Sequence, residues 1–323
     1  MYNGYVMTSR FTHLHVHSHY SLLSALPTAK ELVARAKELG MDSLALTDAG
    51  NLYGAVDFYQ TAKKAGIKPI IGLDAFVAPR TRFDMEAGID KPRSRLVLLA
   101  KTTQGYKNLI KIVTLSNTEG FYYKPRIDHK LIAEYKEGLI AIVPSFAGEP
   151  AQAIKDENRE RAGATLAWYK KTFGDDCYVE ITHHLEIPGH EKIQDALIKL
   201  AKDHDVPLVA AHDVYYLHPE DRRARETMIK IQTGGVVEAG NFDDRDEDFS
   251  FLTTEKMEAL FTATPEAILN TQKIADSITA ESKSERGTFP TTKLKAGGHR
   301  TKNFVISLWL AFPGVDFPMT TRK

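Results

Sequence analysis

Four histidines fall within seven residues, His13, His15, His17 and His19, and the first three alternate with Leu14 and Val16. On a β-strand, side chains at i, i+2 and i+4 share one face and stand about 6.6 Å apart along it. The spacing therefore predicts a row of imidazoles with an apolar layer behind it. Neutral imidazole is the commonest metal ligand, so a His-x-His pair can hold one divalent ion or two adjacent ones if other segments bring carboxylates. Asp74, Asp213 and His212 are the candidates, and their residue types suit such an ion. A site of this kind would lower the pKa of a bound water and clamp a phosphate. The competing reading is a set of hydrogen-bonded structural histidines at the mouth of a barrel.

Other constellations carry less chemistry. Asp48-Ala49-Gly50-Asn51 reads as a strand-to-helix turn in which Asp48 bonds local backbone. His183 and His184 are adjacent, and neighbours on a strand face opposite ways. Arg222-Arg223-Ala224-Arg225, flanked by Glu220, Asp221 and Glu226, reads as a solvated helix face. The acidic loop at residues 242–248 lacks the Asp/Asn spacing and closing Glu of a calcium loop. Neither a Gly-rich phosphate loop, a G-x-S-x-G elbow nor a C-x-x-C pair occurs.

The elements that must position these residues follow a rhythm. Thr28 and Glu31 form a capping box ahead of a helix over 29–39, which Gly40 stops. A short apolar strand follows at 43–47, then a helix over 54–65 and a strand over 69–77. The alternation continues with strands near 95–100, 139–143, 177–181 and 207–211. The intervening helices lie near 104–117, 160–173, 190–204 and 219–232. About seven such alternations predict an α/β fold with a parallel sheet, helices outside it, and closure into a barrel. Chemistry in such barrels sits at the C-terminal ends of the strands, where Asn51, Asp74 and Asp213 fall. Thr264 with Pro265 starts a further helix. From about residue 281 the periodicity is lost and Lys and Arg dominate, which predicts an irregular basic tail.

Composition narrows the class. A chain of 323 residues with 43% hydrophobic and 26% charged residues suits a globular protein with a sizeable core. Lys plus Arg equal Asp plus Glu at 42 each, which argues against a polyelectrolyte nucleic-acid binder. The single cysteine, Cys177, excludes an intrachain disulfide and fits a reducing cytosol. The first ten residues lack an apolar h-region. The longest apolar run, at 304–312, is far short of the roughly 20 residues that span a bilayer. A cytoplasmic protein with no membrane partner is the expectation.

The stretch Thr12-His13-Leu14-His15-Val16-His17-Ser18 through Tyr20-Ser21-Leu22-Leu23 resembles the first motif of the PHP (polymerase and histidinol phosphatase) domain. More narrowly, it is similar to the form found in bacterial replicative DNA polymerase III alpha subunits. Leu46-Thr47-Asp48 with Gly50-Asn51 matches as well, as do Ala65-Gly66-Ile67-Lys68-Pro69-Ile70-Ile71-Gly72 and Gly105-Tyr106-Lys107-Asn108-Leu109. Glu119-Gly120-Phe121-Tyr122, Asp213-Val214-Tyr215-Tyr216 and Ile231-Gln232-Thr233-Gly234 complete the series, in the family's order. The resemblance covers residues 11–280 and implies a distorted (β/α)7 TIM-like barrel. It leaves residues 1–10 as an N-terminal extension and 281–323 as an atypical tail in which no polymerase palm is recognisable, as in a fragment or a frame-shifted product.

Metal-binding members of the family carry a full ligand set for a cluster of divalent ions. On this chain His15, His17 and Asp213 match that set, and Asp74 stands where the family has Glu. Ser24, Ala49, Arg95, Ser145 and Tyr215 stand where the family has further ligands. A guanidinium has no lone pair to donate. The resemblance thus implies a degenerate site with no catalytic residue, holding at most one weakly bound zinc, manganese or magnesium ion, in which Arg95 pairs with Asp74 or Asp213. The implied role is structural. Its partners would be the remainder of the alpha subunit, the proofreading exonuclease subunit and other replisome components, with DNA reached through the full-length polymerase. The alternative is a metal-dependent phosphoesterase, either a 3′–5′ exonuclease or an enzyme like histidinol phosphatase.

Overall fold

The computed structural model describes residues 10–184, 187–233 and 247–281. Residues 1–9, the acidic loop up to residue 246, and the basic tail from residue 282 onward lie outside the described residues.

The chain enters along the histidine segment and turns into α1 (Ala29–Glu38). Thr28 Oγ1 accepts the amide of Glu31, and the Glu31 carboxylate accepts the amide of Thr28, which satisfies donors that a helix start leaves open. Leu32, Val33 and Ala36 form the buried face of α1. Strand β1 (Ser43–Leu46) and helix α2 (Ala55–Ala65) follow. Gly66 ends α2 with a φ of 80°, a conformation that costs glycine least. Next come β2 (Lys68–Val77), β3 (Ser94–Ala100) and α3 (Thr103–Thr118). A small hairpin, β4 (Phe121–Tyr122) and β5 (Lys124–Ile127), precedes α4 (His129–Glu134) and β6 (Leu139–Val143). Helices α5 (Glu149–Lys155) and α6 (Arg159–Phe173) lead to β7 (Cys177–Ile181). Helix α7 (His190–Asp203) and β8 (Leu208–Ala210) follow. Helices α8 (Arg222–Gln232), α9 (Thr254–Leu260) and α10 (Pro265–Ser277) complete the described elements.

The strands form a curled mixed sheet in the order β4-β5-β2-β3-β6-β7-β8, with β1 also on β2. The histidine segment spans the remaining gap. Ala45 and Thr47 donate their amides to the carbonyls of His13 and Val16, while His17 donates to Val214 O and Val214 donates to His15 O. The barrel-like architecture anticipated from the repeat pattern is therefore present, but the all-parallel sheet is not. β3 runs antiparallel to both β2 and β6. The cause is the link between β2 and β3, residues 78–93, which contains no helix. A parallel pair needs a long crossover, whereas a returning strand does not. The β4–β5 hairpin is a further element that hydrophobic periodicity did not reveal.

Alternation across the strands sorts the core. Leu14, Ala45, Ile70, Val97, Leu99, Ile140, Ile142 and Val209 pack together inside the curl, against Ile274, Ala275 and Ile278 of the α10 region. Leu96, Leu98, Ala141, Val143, Cys177 and Val179 face outward against α3, α5, α6 and α7. Leu44, Leu46 and Ile71 face α1 and α2. Full burial of a side chain such as Leu98 contributes about 2 kcal/mol. Towards the opposite end from α10 the interior positions turn polar, and the candidate site lies there.

Candidate functional site

Asp74 sits four residues beyond the interior Ile70 on β2, and Glu180 is interior on β7 between outward-facing Val179 and Ile181. Asp213 follows β8. Because β3 is reversed, its beginning, not its end, reaches this side, which brings Arg95 in. Asp74 pairs in register with Val97, so Arg95 is its diagonal neighbour on the same face.

The histidines do not form one row. The chain bends at His15, and the alternation breaks there: Leu14 packs inside the curl while Val16 packs under α1 and α2. His13 consequently points away from the site. It donates Nε2–H to the carbonyl of Leu252 at 2.9 Å and packs against Phe11 and Phe251. Burial lowers its pKa to about 4. His15 and His17 remain neighbours, with ring centroids 5.1 Å apart.

His15 is the hub. Its Nδ1 lies 2.9 Å from Glu180 Oε2 and 2.7 Å from Asp213 Oδ1, and its Nε2 lies 3.4 Å from Asp74 Oδ2. Burial opposes a charge on this imidazole, but Asp213 and Glu180 outweigh it and hold the pKa well above the ordinary value. Burial likewise pushes Asp213 upward, and the His15 charge reverses this and holds it well below the usual carboxylate range. Glu180 is raised by burial. His17 is held well below its ordinary value by burial and then by the charges of His15 and Arg95, so it stays neutral. Its ring stacks on Tyr215 at 4.4 Å.

Arg95 takes both oxygens of Asp74. Its Nε donates to Oδ1 at 2.8 Å, and its NH2 group pairs with Oδ2. The other positions that the resemblance marks as former ligands serve other contacts. Ala49 bridges in parallel to Asp74 through backbone and donates its amide to the Ser21 hydroxyl. Ser145 hydrogen-bonds Thr182 at 3.2 Å. Ser24 offers its carbonyl to Arg225 Nε at 3.1 Å.

Among the described residues, two groups of three have ligand atoms within 4.8 Å of one another: His15, His17 and Asp74, and His15, Glu180 and Asp213. The donor chemistry separates them. In the first group Arg95 already occupies Asp74, and a guanidinium cannot ligate. A metal cluster through Asp74 therefore does not fit the residues present. The second group has a donor set compatible with a single ion, which would have to displace the proton on His15. His212 joins neither group. It is buried, held neutral chiefly by burial, and stacked 5.2 Å from His184. His183 lies towards Phe261 instead, so the adjacent pair does diverge.

Besides His13 and His212, three residues differ from the reading of the sequence or escaped it. Asp48 is more than a turn residue: it accepts the Ser18 amide and hydroxyl and the Ser21 hydroxyl, and so pins the loop after the histidines. Arg225 is not on a solvated face. It is buried, with its guanidinium carbon 4.0 Å from the Tyr215 ring centroid. Glu180 was missed, although a carboxylate at an interior position of the apolar strand Cys177-Tyr178-Val179-Glu180-Ile181 is itself a signal.

The PHP domain family model matches residues 13–184, and the chain belongs to that family. The DNA polymerase III subunit alpha of Borreliella burgdorferi is 41% identical over 270 residues, covering 83% of this chain and 24% of the relative. That of Aquifex aeolicus is 39% identical over 288 residues, covering 84% and 25%. The chain thus spans about a quarter of the length of these curated relatives. Among solved structures, a candidate metal-dependent phosphoesterase from Bifidobacterium adolescentis aligns with a TM-score of 0.41 at 14% identity, covering 64% of this chain and 87% of that one. An amidohydrolase from Chromobacterium violaceum aligns with a TM-score of 0.39 at 12% identity, covering 63% and 87%.

Proposed function

We propose that this chain is the PHP portion of a DNA polymerase III alpha subunit and serves DNA replication as a structural and partner-docking module in the cytoplasm. The remainder of the alpha subunit is its first partner. The proofreading exonuclease subunit and other replisome components are further candidates, and DNA is met through the full-length polymerase. The observation that carries the structural role is the Arg95–Asp74 pair at the centre of the former ligand set. A permanent cation there excludes a neighbouring divalent ion by repulsion and consumes the carboxylate that would bind it. The degenerate site then acts as a buried polar clasp: His15 ties β2, β7 and the segment after β8 together through Asp74, Glu180 and Asp213.

The second reading, a phosphoesterase, draws on the group His15, Glu180 and Asp213, which could retain one weakly held zinc, manganese or magnesium ion. An assay of phosphate and nucleotide release, with manganese, zinc or magnesium supplied, separates the two. The structural reading expects no metal-dependent release above that of His15→Ala. Release that needs the metal and disappears in His15→Ala would establish the enzyme instead.

A further inference from the structure

Between β2 and β3 the chain runs through residues 78–93 without a helix or strand, and Val77 pairs with Ser94 across the neck of this loop. From residue 79 to residue 93 the buried residues are Arg82 and Asp90, both charged. Phe83, Met85 and Ile89 are 56%, 50% and 48% exposed. Burial of apolar side chains, the usual source of order, is therefore not what holds the loop. Fixing its backbone still costs conformational entropy, and polar contacts must offset that cost.

Those contacts converge on one side chain. Arg126 of β5 is fully buried, and its guanidinium donates to four backbone carbonyls. NH1 reaches Asp90 O at 3.0 Å, NH2 reaches Arg82 O at 3.1 Å and Asp84 O at 2.8 Å, and Nε reaches Gly120 O at 3.1 Å. Three of these acceptors belong to the loop, and the fourth immediately precedes β4. A planar fork of five N–H groups suits such a cage. The loop's other outside anchors come from the same neighbourhood. Arg82 donates through Nε to Glu119 at 2.8 Å and through NH1 to Asp128 Oδ1 at 3.1 Å, and its amide donates to Asp128 Oδ2 at 2.9 Å. The Lys91 ammonium stands 5.8 Å from the Tyr123 ring centroid. Within the loop, Arg80 Nε and the Glu86 amide both donate to the Asp90 carboxylate, at 2.9 and 2.8 Å. The hairpin itself has little apolar anchorage: Phe121 and Tyr123 are exposed, and a short two-stranded hairpin is marginal in water. Each segment thus lends the other the contacts it lacks.

We propose that residues 79–93 and 119–126 form a single latched unit, closed by Arg126, that opens and closes as a whole while the sheet beneath it stays folded. One guanidinium plane spans both segments, so neither can leave the cage without loosening the other. β3 begins at Ser94, next to Arg95, and the latch therefore also sets where the chain enters the buried clasp. The device does not depend on the role proposed above.

Native-state hydrogen exchange of the whole chain at low urea, followed by mass spectrometry, tests this. Peptides covering the loop and the hairpin should report the same opening equilibrium to within about threefold, with opening more frequent than in β6 or α7. Its urea dependence should be small, since little apolar surface is exposed. Arg126→Lys keeps the charge but loses the fork. It should speed exchange in both segments by about tenfold or more and leave β6 and α7 unchanged. Loop and hairpin opening to independent extents in the parent chain overturns the inference, and that measurement stands even if the variant does not fold. The inference fails equally if Arg126→Lys speeds one segment alone or neither. Equal acceleration in β6 and α7 also contradicts it, because Arg126 would then support the whole fold.

Discussion

Replacing Arg95 with methionine removes the cation from the buried clasp while keeping much of its aliphatic length. Asp74, 1% exposed, would then be left with only His15 Nε2 at 3.4 Å and His17 Nε2 at 3.6 Å as ion-pair partners. Breaking a fully buried ion pair costs about 3–5 kcal/mol because the surviving charge is left without its partner. Arg95 is 23% exposed, and the histidines offer partial relief, so a loss of about 2–3 kcal/mol is expected near pH 8. The loss should shrink on acidification. Arg95 is one of the charges that hold His17 neutral, so without it His17 takes up a proton more readily and compensates Asp74. Urea unfolding of the parent, Arg95→Met, Asp74→Asn and the double variant closes a thermodynamic cycle. The expected coupling is about 2 kcal/mol. A coupling below about 0.5 kcal/mol, the value of an exposed pair, would refute the claim that this pair organises the site.

Three further outcomes follow from buried groups. His13 is neutral when folded, with a pKa of about 4 against 6.5 unfolded, so acid favours the unfolded chain. Its contribution is intact above pH 6.5 and falls away down to pH 4, with about 2 kcal/mol lost by pH 5; stability curves of the parent and His13→Gln that remain parallel from pH 7.5 to 5 would contradict this. Cys177 is fully buried and its pKa is raised to about 12 by burial, so disulfide reagents should label it slowly in the native chain and rapidly in denaturant. Rapid native labelling at neutral pH would show that the β7 layer opens freely. A Cβ at Gly105 would collide with the Gly138 carbonyl oxygen, so Gly105→Ala should lower the melting temperature by several degrees, about 1–3 kcal/mol for overpacking, and an unchanged melt would show that α3 can move.

Much of the architecture was readable because its causes are local. Thr28 and Glu31 announce a helix start, Gly66 announces a stop, and apolar runs such as Leu139-Ile140-Ala141-Ile142-Val143 announce buried strands. Strand direction is different. The reversal of β3 depends on how the link at residues 78–93 returns, and no periodicity encodes it. That one reversal also delivers Arg95 to the polar end of the sheet, where a parallel β3 would have put its opposite end. The three-histidine row failed for a related reason: alternation assumes a regular strand, and the bend at His15 turns His13 outward. Arg225 was misjudged because a run of arginines normally lies in water, whereas here Tyr215 and Phe249 give the guanidinium a surface to stack on. His15, Asp74 and Asp213 do meet, as their types and positions suggested, and Glu180 joins them from the interior register of β7.

In the proposed structural role, Arg95 takes up the Asp74 carboxylate that a divalent ion would otherwise need. Metal content of the purified, desalted chain, measured by elemental analysis after equilibration with zinc or manganese, tests this directly. Less than one equivalent of either metal per chain is the predicted result, since a single ion at His15, Glu180 and Asp213 must displace a proton from an ion-paired imidazole. One or more equivalents retained through desalting would contradict it.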